Sequence, residues 1–227
     1  VTDQTPPRTP IDLLGALGSQ TTELAPGVRL TEVYTERGLL QQLWYGPATA
    51  TELVLLLPGA MGGFTGPAGL HPTLGRWCAA TGRAAVALHY RKPGDLDRCL
   101  VDAAATVDQG FRDGVRRVLV VGHSFGGAVA VQVATALVGL CAGVVTLATQ
   151  SAGCEGAAGL GGTPLLLLHG DRDTILDAEN SAMVRFMAGY GDLRIVPGAG
   201  HGFNEVADQV RDLLAAWIDD AFTRAAS

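Results

Sequence analysis

A chain of 227 residues that is 48% hydrophobic and 17% charged has ample material for one large buried core, which excludes an intrinsically disordered chain. The formal net charge is −6, and the 16 basic residues form no cluster, so neither a nucleic acid nor an anionic membrane surface is an expected partner. Cys78, Cys99, Cys141 and Cys154 make no C-x-x-C and have no histidine at zinc-finger spacing; they are expected as free buried thiols in a reducing compartment.

Residues 1–27 are rich in Pro and Thr and read as an irregular arm ahead of a single domain over 28–227. Within the arm, residues 11–17 suit a short amphipathic turn of helix, either docked on the body or lying as a lid over a pocket. Residues 28–35 and 40–45 read as two short strands, with Arg37-Gly38 as the hairpin turn between them. Residues 52–57 form a continuous apolar run, the pattern of a strand buried on both faces. It ends in a glycine-rich loop, Pro58-Gly59-Ala60-Met61-Gly62-Gly63-Phe64. The pattern then predicts a helix over 70–81, a strand over 84–90, a helix over 96–111 and a strand over 115–121. A helix over 128–140 and strands over 143–148 and 164–168 follow. Asp177 suits the N-cap of a helix running to about Gly189. A strand over 193–196 and a helix over 205–222, with an apolar stripe from Val206 to Trp217, complete the chain.

An initial hairpin followed by alternating strands and helices predicts an α/β fold. Its central sheet is mostly parallel, has about eight strands and carries helices on both faces. No charge occurs between Ser124 and Cys154, but Gln132, Gly139 and Gly143 interrupt that run, and a buried helix and strand account for it. No membrane insertion is expected. The first residues show no basic region followed by an apolar one, so a cytoplasmic location is expected.

The stretch Val118-Leu119-Val120-Val121-Gly122-His123-Ser124-Phe125-Gly126-Gly127 is a buried strand running into G-x-S-x-G and then a helix. That is the context of a nucleophile elbow, where a sharp turn exposes a serine hydroxyl and tolerates no Cβ at the flanking glycines. Serine needs a base, and His201, in Pro197-Gly198-Ala199-Gly200-His201-Gly202-Phe203, is the candidate. An acid must orient that histidine, and both Asp171 and Asp173 lie just past a strand; their spacing alone does not choose. Backbone N–H groups aimed at an oxyanion would come from Phe125 and from Ala60 or Met61.

These motifs resemble the α/β-hydrolase superfamily, most closely its small cap-less esterases and dienelactone-hydrolase-like members. The resemblance spans residues 28–222. It rests on the elbow, on Tyr90-Arg91-Lys92-Pro93-Gly94-Asp95, on His169-Gly170-Asp171-Arg172-Asp173 and on Gly198-Ala199-Gly200-His201-Gly202. It implies that Asp173 is the triad acid, with Asp171 as the fallback. Three features depart from the pattern. Pro58-Gly59 stands where many relatives have His-Gly, which leaves the second oxyanion donor open between Ala60 and Met61. Serine stands where dienelactone hydrolases carry cysteine, which favours simple esters. Residues 149–162 are too few and too rich in Gly and Ala for a helical cap, so an open pocket is expected, walled by Met61, Phe64, Phe125, Ile175 and Phe203.

His89 and His169 are expected as hydrogen-bonded structural groups; His71 opens a helix and His123 fills a variable elbow position. No set of His, Asp and Glu has metal-ligand spacing, and the glycine-rich loops match neither phosphate-binding fingerprint, so no metal and no cofactor are expected. The implied activity is a serine hydrolase that cleaves a small or medium carboxylic ester through an acyl-enzyme, with no macromolecular partner beyond a possible second copy of the chain (monomer or homodimer). A thioesterase or acyltransferase on the same triad is the first alternative, and a non-catalytic ligand receptor or scaffold the second. Epoxide hydrolase and dehalogenase relatives use aspartate where Ser124 stands.

Overall fold

The computed structural model describes residues 9–226. Their centre is a nine-stranded sheet: β1 (Ala16–Ala25), β2 (Val28–Thr35), β3 (Gly38–Tyr45), β4 (Glu52–Leu57), β5 (Ala84–His89), β6 (Arg117–His123), β7 (Cys141–Leu147), β8 (Leu165–Gly170) and β9 (Asp192–Val196). The spatial order is β1-β2-β3-β5-β4-β6-β7-β8-β9. The first three strands and the β3–β5 pair run antiparallel, and every later pair is parallel. β4, β7 and β8 are buried along almost their whole length, as their unbroken apolar sequences require when both sheet faces are covered.

Six α-helices surround the sheet: α1 (Pro10–Leu14), α2 (Leu70–Ala80), α3 (Leu96–Arg112), α4 (Phe125–Ala136), α5 (Glu179–Ala188) and α6 (Ala207–Ala226). α3, α4 and α5 contribute Cys99, Ala103, Ala128, Val131 and Val184 to the apolar layer on one face. α2 and α6 contribute Leu74, Cys78, Val210, Leu214 and Ile218 to the layer on the other. All four cysteines are free and buried in these layers, and burial pushes their thiols up to about 12. No helix among the described residues is long and apolar enough to cross a membrane.

The topology fixes where a site can form. From β4 the chain crosses to β5 on one side, then returns to β6 on the other. The crevice between the carboxyl ends of β4 and β6 is therefore a switch point, the usual ligand position in such sheets. In register, Leu57 lies beside Gly122, so the loop after β4 and the turn after β6 are neighbours.

Four expectations are corrected. The arm is not irregular throughout: Ala16–Ala25 is a ten-residue edge strand, joined to β2 across Pro26-Gly27, with Gly27 at φ 71°. All ten of its residues are exposed, so no buried face marks it; backbone pairing to β2, with one side-chain hydrogen bond between Thr21 and Thr31 (3.0 Å), makes it a strand. The sheet accordingly has nine strands rather than about eight. α4 starts directly after Ser124 and stops at Ala136, four residues earlier than expected, because the chain turns at Gly139 (φ 85°) with Leu140 N–H donating to Leu137 O. Asp177 does not cap α5 with its side chain; its carbonyl accepts from Asn180 instead.

The arm's first described turn does dock on the body. Thr9 and Asp12 form a reciprocal capping box, and Leu14 is buried with Leu40 and Ala105. Arg91 holds α1 in place, donating to Leu14 O (3.1 Å) while pairing with the fully buried Asp102.

Candidate active site

Ser124 sits between β6 and α4 at φ 54° and ψ −121°, a conformation that costs a non-glycine residue about 1–3 kcal/mol. It is held there by its own N–H, which donates to Leu147 O (2.8 Å), and by its carbonyl, which accepts from Gly127 N–H (2.9 Å). A Cβ at Gly122 would strike the Gly126 carbonyl, and one at Gly126 would strike the Pro58 carbonyl. The two glycines are thus a steric condition for bringing β6, α4 and the β4 loop together.

Phe125 N–H opens α4, where first-turn N–H groups have no intrahelical acceptor. The Phe125 ring lies in the core, edge-on to Tyr90 at 6.5 Å, and does not wall the pocket. Across from it, Gly62 N–H donates to Gly59 O (2.9 Å), closing a turn whose central residues are Ala60 and Met61. That turn's own hydrogen bond uses neither central N–H. His89 pins the loop by accepting from Gly63 N–H through Nδ1 (2.8 Å).

His201 and Asp173 meet at 2.7 Å, imidazole Nδ1 to carboxylate Oδ2. The Asp173 side chain is fully enclosed, and its other oxygen accepts from Ile175 N–H (2.8 Å) and Leu176 N–H (2.9 Å). Burial pushes this carboxyl up, but the Leu176 N–H, the His201 ring and the Ile175 N–H outweigh it and hold the group below its ordinary value. Behind it, the buried His169 donates from Nε2 to Leu176 O (2.9 Å), and its Nδ1 is hydrogen-bonded with Ser181 Oγ (2.7 Å). Asp171 does not reach His201; it accepts from Gly198 N–H (2.6 Å) and so joins the acid's loop to the histidine's loop.

Ser124 and His201 line one open cavity of about 430 Å³ with Pro58, Gly59, Ala60, Met61, Gly62, Thr65, Gly66, Pro67, His123 and Ile175. Met61 and Ile175 stand at its rim, 92% and 69% exposed. No described residue of the arm lines it. The 3₁₀ turn Ala157–Leu160 is the longest helical element between β7 and β8, so no cap covers it from there. Besides Phe125, two more of the expected wall residues lie elsewhere. Phe203 is fully buried: at φ 56° the chain turns its ring into the layer between sheet, α2 and α6. Phe64 packs beside His89 and against that same layer.

His123, expected only to fill a variable elbow position, makes a contact of its own. Its Nε2 lies 2.9 Å from the His201 carbonyl, and the two rings are 4.9 Å apart at 52°. A carbonyl only accepts, so His123 donates and its Nε2 carries the proton. Burial, partly offset by that hydrogen bond, pulls the ring down to about 4. Beyond it, His71 is enclosed under Gly66, with no hydrogen-bond partner for either ring nitrogen among the described residues. Burial, then the proximity of His123, pulls it down to about 3. The only signal for His123 in the sequence is its place next to Ser124; its contact with residue 201 depends on tertiary folding.

The fold is similar to that of several solved structures. Est1E from Butyrivibrio proteoclasticus superposes with a TM-score of 0.71 at 16% identity, covering 86% of this chain and 99% of that one; a structure of it with ferulic acid bound is also similar. Dienelactone hydrolase from Anabaena variabilis gives a TM-score of 0.70 at 18% identity, covering 89% and 98%. An α/β serine hydrolase homologue from Coxiella burnetii gives 0.66 at 18% identity, covering 82% and 95%. No curated protein matches the sequence. The dienelactone hydrolase family profile matches residues 80–225, a stretch that holds the elbow, Asp173 and His201. With that match over more than half its length, on an α/β-hydrolase fold without a cap, the chain is a hydrolase and belongs to the dienelactone hydrolase family.

Proposed function

We propose that this hydrolase is a serine carboxylesterase acting on uncharged esters. The observation that carries the reading is the convergence of a serine at positive φ with a carboxylate-paired histidine in one open cavity. In this reading His201 takes the Ser124 proton at Nε2 as Oγ attacks the ester carbonyl. Asp173 fixes the tautomer, accepting from Nδ1–H and stabilising the imidazolium. The oxyanion rests on Phe125 N–H and on Ala60 or Met61 N–H. His201 then passes the proton to the leaving alkoxide, and the acyl group stays on Ser124. Water, deprotonated by His201, attacks the acyl-enzyme, and the acid leaves as Ser124 regains its proton.

The substrate class is read from the cavity wall. Among the described lining residues none is an Asp, Glu, Lys or Arg, while Met61, Ile175, Pro58 and Pro67 supply apolar surface. A carboxylate or phosphate on the substrate would find no counter-charge there, whereas an alkyl or aryl group would cover Met61 and Ile175.

The test is turnover of p-nitrophenyl esters from acetate to decanoate, with hydroxycinnamoyl esters and a matched thioester, by wild type and Ser124→Ala. The expected result is oxygen-ester hydrolysis by wild type and loss of about 10⁶-fold in the variant. Turnover of the thioester alone would contradict the ester reading. Undiminished activity in Ser124→Ala would contradict the nucleophile.

A further inference from the structure

We infer that His123 is a positioning residue, which sets the distance between the nucleophile and the base by hydrogen-bonding the His201 backbone. The inference rests on Ser124 and His201 having those two roles. Three observations carry it.

First, His123 is the residue directly before Ser124, on the last position of β6. β6 is flanked by β4 and β7 and cannot shift alone. Second, its bond goes to the main chain of His201 itself, not to a neighbour. His201 is therefore held at two points, by Asp173 at the ring and by His123 at the carbonyl, and only the second tether leads back to the nucleophile's own strand. The other ties on that loop include Gly198 N–H to Asp171, Arg172 N–H to Ala199 O (3.0 Å) and Gly200 N–H to Glu205 (3.1 Å), which hold it to the β8 loop and to the turn before α6; none of these refers it to Ser124. Third, the half-buried His123 ring is bounded on two sides. Its Nδ1 edge faces Gly59, and its ring lies against the His201 ring.

The bond needs the His123 Nε2–H, which either protonation state of the ring can supply, but a cationic His123 would oppose the imidazolium that forms on His201. The groups that face His123 are His201 and Asp173 from the two loops and His71 from α2. Half-buried among them and pulled down to about 4, His123 is neutral near pH 7 while His201 cycles its proton. A misplacement of about 1 Å between reacting groups typically lowers turnover about 100-fold, which bounds the effect of losing the tether.

Three variants separate a tether from a filler. His123→Phe keeps the ring and loses the donor. His123→Gln carries an amide nitrogen the same number of bonds from Cβ as Nε2, and His123→Asn carries one that is a bond shorter. Two rates are measured on the full chain, with thermal melting as the check on folding. One is labelling by a fluorophosphonate, in which the Ser124 Oγ–P bond forms, P–F breaks and the proton passes to His201. The other is p-nitrophenyl acetate turnover. The expected result is a fall of about 10- to 100-fold in labelling rate and kcat for Phe and Asn, with KM within about 2-fold, and recovery to within about 3-fold of wild type for Gln. Wild-type rates in His123→Phe, or a Gln variant no faster than Asn, would overturn the inference. If His123→Phe fails to fold, the Gln and Asn pair decides alone. Ser124→Ala, run beside them, keeps the two levels apart: a labelled, active Ser124→Ala removes the underlying reading, whereas an inert one with an unimpaired His123→Phe removes the tether only.

Discussion

The two sides of the cavity are built on opposite terms. On one side, Ser124, His201 and Asp173 are fixed several times over: by a strained backbone wedged between glycines, by two main-chain donors on one carboxylate oxygen, by His169 behind the acid and by His123 across the gap. On the other side, Met61 and Ile175 project from loop positions into solvent. The difference teaches which part of the sequence can vary. Each residue on the fixed side meets several others, so its replacement disturbs a network. Each rim side chain meets little, so in the proposed reading its replacement changes what fits while the Ile175 main chain still holds Asp173.

The comparison breaks most sharply at the acid. Asp173→Asn keeps the shape but presents an amide that can pair His201 in the wrong tautomer. A loss of about 10⁴-fold in kcat, with folding intact by circular dichroism, is expected. A loss under 10-fold would mean that the enclosed side is not set by this pair.

Acid sharpens the comparison next, through the half-buried His123 beside His201 and the buried His71 under Gly66. In the unfolded chain a histidine takes up a proton near pH 6.5, whereas in the folded chain His123 does so at about 4 and His71 at about 3. The unfolded state therefore binds more protons as pH falls below 6.5, and stability drops through that window. The expected cost is about 2 kcal/mol per histidine between pH 7 and pH 5, read as a lower urea midpoint. Asp173 acts in a later window: its stabilising share is whole above about pH 4 and is lost as pH falls further through its depressed folded value. His71→Leu should flatten the upper window. A midpoint that loses as much with acid in this variant as in wild type would contradict the assignment.

The smallest effects belong to the rim. Met61→Ala and Ile175→Ala should each raise KM for hexanoate or longer esters about 5-fold, in line with about 1 kcal/mol of lost apolar contact, and leave acetate turnover unchanged. A fall in kcat for acetate would show that the rim also serves the chemistry.

The sequence reveals these two sides unequally. The buried strands and the elbow are legible because each is a run of one kind, apolar residues ending in glycines that only a tight turn explains, and the loops carrying Asp173 and His201 follow from strand ends. β1 is not legible, because an exposed edge strand gains its order from pairing and leaves no apolar pattern. Phe203 looks like a wall residue by its nearness to His201, yet positive φ turns it inward. His123 is hidden for the opposite reason: its partner is 78 positions away and is a backbone atom, which no side-chain pattern advertises.

The most direct test of the account is the site of covalent capture. Wild-type protein is treated with a fluorophosphonate, digested and mapped by mass spectrometry. A single adduct on Ser124, absent in Ser124→Ala and slowed by Asp173→Asn, is the predicted result. An adduct at another residue, or none in a folded protein that still hydrolyses esters, would contradict it.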